Sequence, residues 1–173
     1  MARLFHVSED AGIRRFEPRP SPSYFEAIRG DVVFAVSEEL LHNYLLPRDC
    51  PRVGFYAGVE SRREDMDSFL GVGGAEYVLA IEKGWLPRVM AGTIYVYELP
   101  VEGFTLLDAC AGYYISYSAV EPLSVRTVDD ILGELLSRSV ELRLMESLWP
   151  LAEAVKASTM QFSCIRMRNA LND

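Results

Sequence analysis

Apolar positions along this chain change period from one short run to the next. Arg3 to Val7 reads as a first strand that ends in "FHVS", and "DVVFAVS" at 31–37, apolar and β-branched before a polar stop, reads as a second, buried one. Between them, "SEDAGIRRF" fits a capped turn of helix with Ser8 as N-cap and acids in its first turn. "EPRPSPS" at 17–23 holds three prolines and is a loop. In "EELLHNYLL", Leu40, Leu41, Tyr44 and Leu45 recur at helical spacing after Ser37 as a possible cap, and Pro47 ends the helix. "PRDCPRVGFYAG" is then a proline-bracketed loop entering a strand near Val53 to Ala57.

"VESRREDMDS" at 59–68 mixes both signs of charge, the pattern of a solvated loop or short exposed helix. From Glu76 to Val125, "EYVLAIE", "TIYVYEL", "FTLLDA" and "GYYISYS" are aromatic or β-branched and separated by glycine and proline, which predicts an antiparallel sheet. "FLGVGG" lacks the Lys-Ser or Lys-Thr of a phosphate loop and reads as a turn. Ile131, Leu132, Leu135 and Leu136 form a helical stripe, "SVELRLM" alternates as a strand, Pro150 fits the first turn of "PLAEAVKAST", and "IRMRNALND" is a docked terminal helix or strand. With no repeat and no linker, the pattern predicts one α+β domain over residues 1–173, its helices segregated from a mostly antiparallel sheet.

Composition narrows the functions. A net charge of −8 over 173 residues repels a phosphate backbone, so long nucleic acid is not an expected partner. Cys50, Cys110 and Cys164 are odd in number and widely spaced, which fits buried free thiols in a reducing, cytoplasmic compartment. No apolar run nears the roughly 18 residues of a membrane span, and Met1 to Asp10 is acidic where a signal peptide is basic and apolar, so neither export nor membrane insertion is expected. His6 and His42 lie far apart and no cysteine pair has ligand spacing, so no metal site is predicted. Without G-x-S-x-G or any local cysteine signature, a hydrolase triad is not predicted either.

What remains is a distributed set: His6 and Ser8 at the end of the first strand, Tyr56, Asp108, and the tyrosines of "TIYVYE" and "GYYISYS". In this order "FHVS", "DVVFAVSEELLHNYL", "TIYVYELPVEGFTLLD" and "SYSAVEPLSV" resemble the ADP-ribosyltransferase fold, the rifampin ADP-ribosyltransferases in particular, over roughly residues 4 to 127. The chain also resembles a family of uncharacterised bacterial domains sharing "PRDCPRV", "SLWPL" and "IRMRN". The first resemblance implies a mostly antiparallel split sheet with peripheral helices, NAD as substrate, and a small-molecule or nucleotide ligand. It implies that His6 bonds the ribose of NAD with Ser8 close by, and that Tyr56 or Tyr113 stacks on nicotinamide.

The fold's toxins and polymerases stabilise the oxocarbenium-like ribose with a glutamate on a late strand. Tyr113 stands about there in this chain. The antibiotic-modifying branch has an acid beyond its "YxVE" strand, which makes Asp108 the catalytic candidate with Glu121 behind it. Arg19, with Arg14, Arg15, Arg48 and Arg52, could gather near His6 to hold a pyrophosphate. Each residue has a plainer role beside this one: a strand-end histidine bonded to backbone, an aspartate closing a turn, solvated arginines. Three activities follow: ADP-ribosyl transfer to a small molecule or protein, a catalytically inactive nucleotide-binding module, and RNA 2′-phosphotransferase-like chemistry, which needs a basic cleft that the charge opposes.

Overall fold

The computed structural model describes residues 2–172. Its strands, in chain order, are β1 Leu4–Ser8, β2 Val33–Ser37, β3 Arg52–Tyr56, β4 Tyr77–Glu82, β5 Ile94–Leu99, β6 Thr105–Asp108, β7 Tyr113–Ser116, β8 Ser124–Val128, β9 Val140–Met145 and β10 Gln161–Ile165. The α-helices are α1 Arg63–Leu70, α2 Leu86–Ala91, α3 Ile131–Ser137 and α4 Trp149–Lys156. The protein is mixed α and β with mostly antiparallel sheets, as the run lengths and β-branched composition predict. Among the described residues no helix is long and apolar enough to cross a membrane.

The chain divides into two compact units, Met1–Leu41 with Ile94–Val128 and His42–Thr93 with Asp129–Asp173. No linker marks the divisions, because the first falls inside the 3-10 helix Glu38–Tyr44, the second just before β5 and the third just after β8. A search for polar, flexible joints therefore finds one undivided chain.

The first unit is a six-stranded sheet in the order β6-β7-β2-β1-β5-β8, antiparallel throughout. Among its described residues there is no α-helix. Leu4, Val33, Ala35, Tyr97 and Leu99 from the strands bury one face against Phe16 and Val120, with Ile13 and Phe104 packed alongside. Phe16 and Val120 exchange backbone hydrogen bonds of 2.8 and 2.9 Å, and the fully buried Tyr97 donates its hydroxyl to the Asp10 carbonyl at 2.6 Å while accepting from Ile13 N–H at 3.1 Å.

The second unit is a four-stranded sheet, β10-β3-β4-β9, in which β4 and β9 run parallel. Val53, Phe55, Val78 and Ala80 pack against Leu151, Ala152 and Val155 of α4 and against Leu148 before it. Arg52 is 2 % exposed, and its guanidinium donates to the carbonyls of Cys50, Asn43, Pro47 and Arg48 at 2.8 to 3.2 Å, knitting the "LPRDCPR" loop. Buried Glu82 accepts from the backbone N–H of Leu171 at 3.0 Å and of Leu148 at 3.4 Å.

Three expectations are corrected. "SEDAGIRRF" is not helical: Ser8 Oγ accepts from Asp10 N–H at 3.1 Å and Asp10 Oδ1 from Gly12 N–H at 2.8 Å, so short side chains bond locally and win over the helix. The strands between Glu76 and Val125 do not share a sheet: β4 joins the second unit, while β5, β6 and β7 lie in the first. Of the cysteines, all free, only Cys50 is buried, where desolvation pushes its thiol up to about 11; Cys110 and Cys164 are half-buried. The charged run at 59–68 does enter a helix, α1, but not a fully solvated one: none of its residues is fully buried, yet Met66, Phe69 and Leu70 pack half-buried against the core of the second unit.

Candidate functional site

At the centre of the six-stranded sheet two neighbouring strands pair incompletely. All five residues of β1 pair with β5, from Leu4↔Leu99 to Ser8↔Tyr95, but β1 meets β2 only at Leu4↔Ser37 and Phe5↔Val36. Beyond Phe5 the ladder opens, and the imidazole Nδ1 of His6 lies 3.0 Å from the carbonyl oxygen of Phe34 on β2. A backbone carbonyl at a ladder's end needs a donor, and the side chain supplies one. Because a carbonyl only accepts, Nδ1 carries the proton in this contact. Phe16 covers the same imidazole at 4.7 Å between centroids and meets Tyr97 edge-on at 5.3 Å. His6 is half-buried, neither sealed in the core nor loose on the surface.

On the face of the sheet opposite to His6 three rings cluster: Phe25 with Phe34 at 6.1 Å, Phe25 with Tyr113 at 6.3 Å, and Phe34 with Tyr113 at 6.3 Å, the last two near-perpendicular. β7 pairs with β2 so that Tyr113 lies opposite Val36 and Ile115 opposite Phe34, which puts Phe34 and Tyr113 on one face. At the far end of the same two central strands, Ala2, Arg3, Ser37, Glu38, Glu39, and Tyr114 with others line a groove of about 530 Å³. Arg3 bonds Glu98 at 2.9 Å and Glu38 at 2.6 Å there, and its guanidinium holds the Glu98 carboxyl below the usual carboxylate range.

The residues singled out from sequence distribute unevenly over this geometry. His6 and Tyr113 lie on strands flanking β2 but on opposite faces of the sheet, and Ser8 is buried with its hydroxyl closing the turn to Asp10. Arg19 forms a two-way backbone bridge with Val32, and its side chain is exposed. Glu121 follows Val120, the bridge partner of the Phe16 that covers His6; its exposed carboxylate lies 3.9 Å from Arg15. Asp108 ends β6, three strands from β1, roughly 14 Å at the usual strand spacing. Its Oδ1 accepts from the backbone N–H of Cys110 at 2.9 Å and of Ala111 at 3.2 Å, the turn-closing role open to an aspartate before small residues. Tyr56 belongs to the second unit, opposite Tyr77 and 5.4 Å from its ring. The arginine cluster does not assemble as expected: Arg52 is engaged by carbonyls in the second unit, and Arg15 pairs with Glu17 at 2.6 Å. Sequence reasoning singles out none of Phe16, Phe25 and Phe34. The adjacent Tyr24 and Phe25, in a proline-rich segment that has no strand or helix to serve, were the available signal.

Among the described residues no three His, Cys, Asp or Glu converge on a common point as a metal site requires. The protein is mixed α and β, with one sheet parted at a histidine that Phe16 covers on one face and with the rings of Phe25, Phe34 and Tyr113 packed on the other. A model of a family of unknown function, DUF6886, matches residues 5–170, and the chain belongs to that family. Comparison with curated proteins found no match, and comparison with solved structures found none either.

Proposed function

We propose that this protein binds NAD in its six-stranded unit, beside His6, and transfers the ADP-ribosyl group to a small-molecule or protein nucleophile. The reading rests on one observation: β1 parts from β2 after Phe5, with a half-buried His6 at the parting. An open ladder gives a ligand backbone groups and an imidazole together, which a continuous sheet withholds. In the transfer, the bond from ribose C1′ to the nicotinamide nitrogen breaks and its electron pair leaves on nicotinamide. The acceptor's lone pair forms the new bond at C1′, and the acceptor's proton passes to a base or to water. A carboxylate near C1′ stabilises the positive charge that builds there. Glu121, exposed and one residue beyond the bridge that covers His6, and Asp108 are the acids for that role.

A second reading, a nucleotide-binding module of the same fold without catalysis, is favoured by the engagement of Asp108 in its turn and by Tyr113 at the late-strand position. Calorimetric titration with NAD, run on the wild type and on His6→Ala with released nicotinamide measured in the same samples, separates the two. Binding that weakens at least about tenfold in the variant, with nicotinamide release by the wild type, supports the transferase. Binding without release supports the module. No binding by a folded wild type defeats both.

A further inference from the structure

β1 is held unequally on its two sides. Toward β5 all five of its residues are paired, and toward β2 only Leu4 and Phe5 are. With two pairs, against three to five at every other junction, the β1–β2 seam is the shortest ladder of the six-stranded sheet. One further backbone bond prolongs it at its closed end, from Glu38 N–H to the Arg3 carbonyl at 3.2 Å. There the Arg3 side chain reaches to both sides of β1. Its Nη1 donates to Glu38, just past the last residue of β2, at 2.6 Å, while Nε and Nη2 donate to the two carboxylate oxygens of Glu98 on β5 at 2.9 and 3.1 Å. The guanidinium also lies 5.0 Å from the ring centre of Phe5. One side chain thus joins the start of β1 to the end of β2 and to β5, two residues before the strands part.

Strand alternation places Arg3 with Phe5 and Glu98, on the face opposite to His6. Its bearing on the parting therefore runs through the backbone pairs it brackets, not through the imidazole. An exposed ion pair alone is worth little, but an arginine bonded to one carboxylate by two prongs and to a second by a third keeps its geometry. Here it adds to a ladder only two pairs long, the place where local opening of the sheet has least to overcome. We propose that Arg3 is a clasp that fixes where β1 and β2 part. With it in place the seam stays closed through Phe5; without it the opening runs on toward Leu4 and Ser37. In the proposed function the same parting admits NAD beside His6, and only this consequence rests on that reading. A parting that wanders leaves His6 without a fixed place, which makes Arg3 a positioning residue.

The test is hydrogen exchange, read amide by amide, on wild type, Arg3→Met, Glu38→Gln and the double variant. Methionine keeps an unbranched stem beside Phe5 and removes the charge with its donors. Because Glu38 N–H bonds the Arg3 carbonyl, alternation makes Phe5 and Val36 the next pair to exchange bonds across the seam. The Phe5, Val36 and Glu38 amides are expected to exchange roughly 2- to 5-fold faster in either single variant, the weight of one networked ion pair. The double variant is expected to match Arg3→Met, since both changes break the same bridge. Amides between β5 and β8 are expected to keep their wild-type rates. At about 1 M salt the wild type is expected to approach the variants, which a purely steric role of Arg3 does not produce. Unchanged seam amides, or an equal rise across the whole unit, overturns the clasp. Calorimetric titration with NAD decides the consequence separately. Where the wild type binds NAD, a roughly 2- to 5-fold loss of affinity in Arg3→Met supports the positioning role and equal affinity overturns it. Failure of the wild type to bind NAD defeats the proposed function and leaves the exchange rates to decide the clasp.

Discussion

In the four-stranded unit, the apolar face formed by Val53, Phe55, Val78 and Ala80 is closed by a helix, α4, through Leu151, Ala152 and Val155. In the six-stranded unit the corresponding work falls to loop residues, Ile13, Phe16, Phe104 and Val120, over Leu4, Val33, Ala35 and Leu99. A helix satisfies its own backbone, so it can cover a sheet through side chains alone. A loop must find partners for each buried N–H and C=O, and here it takes them from the Phe16–Val120 bridge, the Arg19–Val32 bridge and the Tyr97 hydroxyl. Few such ties mean that a covering loop can be displaced at low cost. The unit that carries the parted strands and His6 is the loop-covered one, which is where opening for a ligand is physically easiest.

That contrast can be broken most forcefully in the helical unit. Arg52→Ala leaves the Asn43, Pro47, Arg48 and Cys50 carbonyls without their donor and is expected to lower unfolding free energy by about 3–5 kcal/mol, read by urea denaturation. Hydrogen exchange on that variant should show β3, β4 and β10 losing protection first. In the six-stranded unit Gly112 has φ 67°, and a Cβ there would come within 2.5 Å of Ser37 Oγ. Gly112→Ala is therefore expected to cost about 1–3 kcal/mol, with the loss of protection concentrated at β2 and β7. Tyr97→Phe keeps the ring and removes only the tie to the 10–13 loop, an expected loss of about 1–2 kcal/mol. Its sharper signature is faster exchange at Ile13 with β5 unchanged.

The smallest effect is a pH dependence in the helical unit. The hydroxyl of Thr159, followed by its backbone N–H, holds the Asp65 carboxyl below the usual carboxylate range. A depressed folded-state pKa contributes stability that is present above the unfolded value near ~4 and is lost as pH falls through the folded one. Asp65→Asn is expected to lose this contribution already at neutral pH and to show a flatter decline of thermal midpoint below about pH 4.

Much of the secondary structure was legible in the sequence. Runs such as "DVVFAVS", "TIYVYEL" and "SVELRLM" carry the strand period in their own residues, and the Ile131, Leu132, Leu135 stripe carries the helical one. The turn at Ser8 to Gly12 is hidden in the sequence because a serine followed by acids is equally good at capping a helix and at bonding its own backbone; the hydroxyl of Tyr97, which donates to the Asp10 carbonyl, favours the turn. The site was legible only in part. His6 stands out as a rare residue, though it lies in the middle of β1 and not at its end, and Phe16 is an ordinary apolar residue until the fold sets it against the imidazole; Phe25 and Phe34 pack on the other face of the sheet.

By itself the sequence determined the α and β content and the positions of most strands, because those depend on periodicity and propensity within a few neighbouring residues. Tertiary structure alone decided that β4 pairs with β3 and, in parallel, with β9 instead of with β5, that each unit is built from two separate stretches of chain, and that β1 and β2 part after Phe5. Those outcomes turn on which strand edges meet across long stretches of chain, and such pairings are selected by the burial of whole faces rather than by any local pattern.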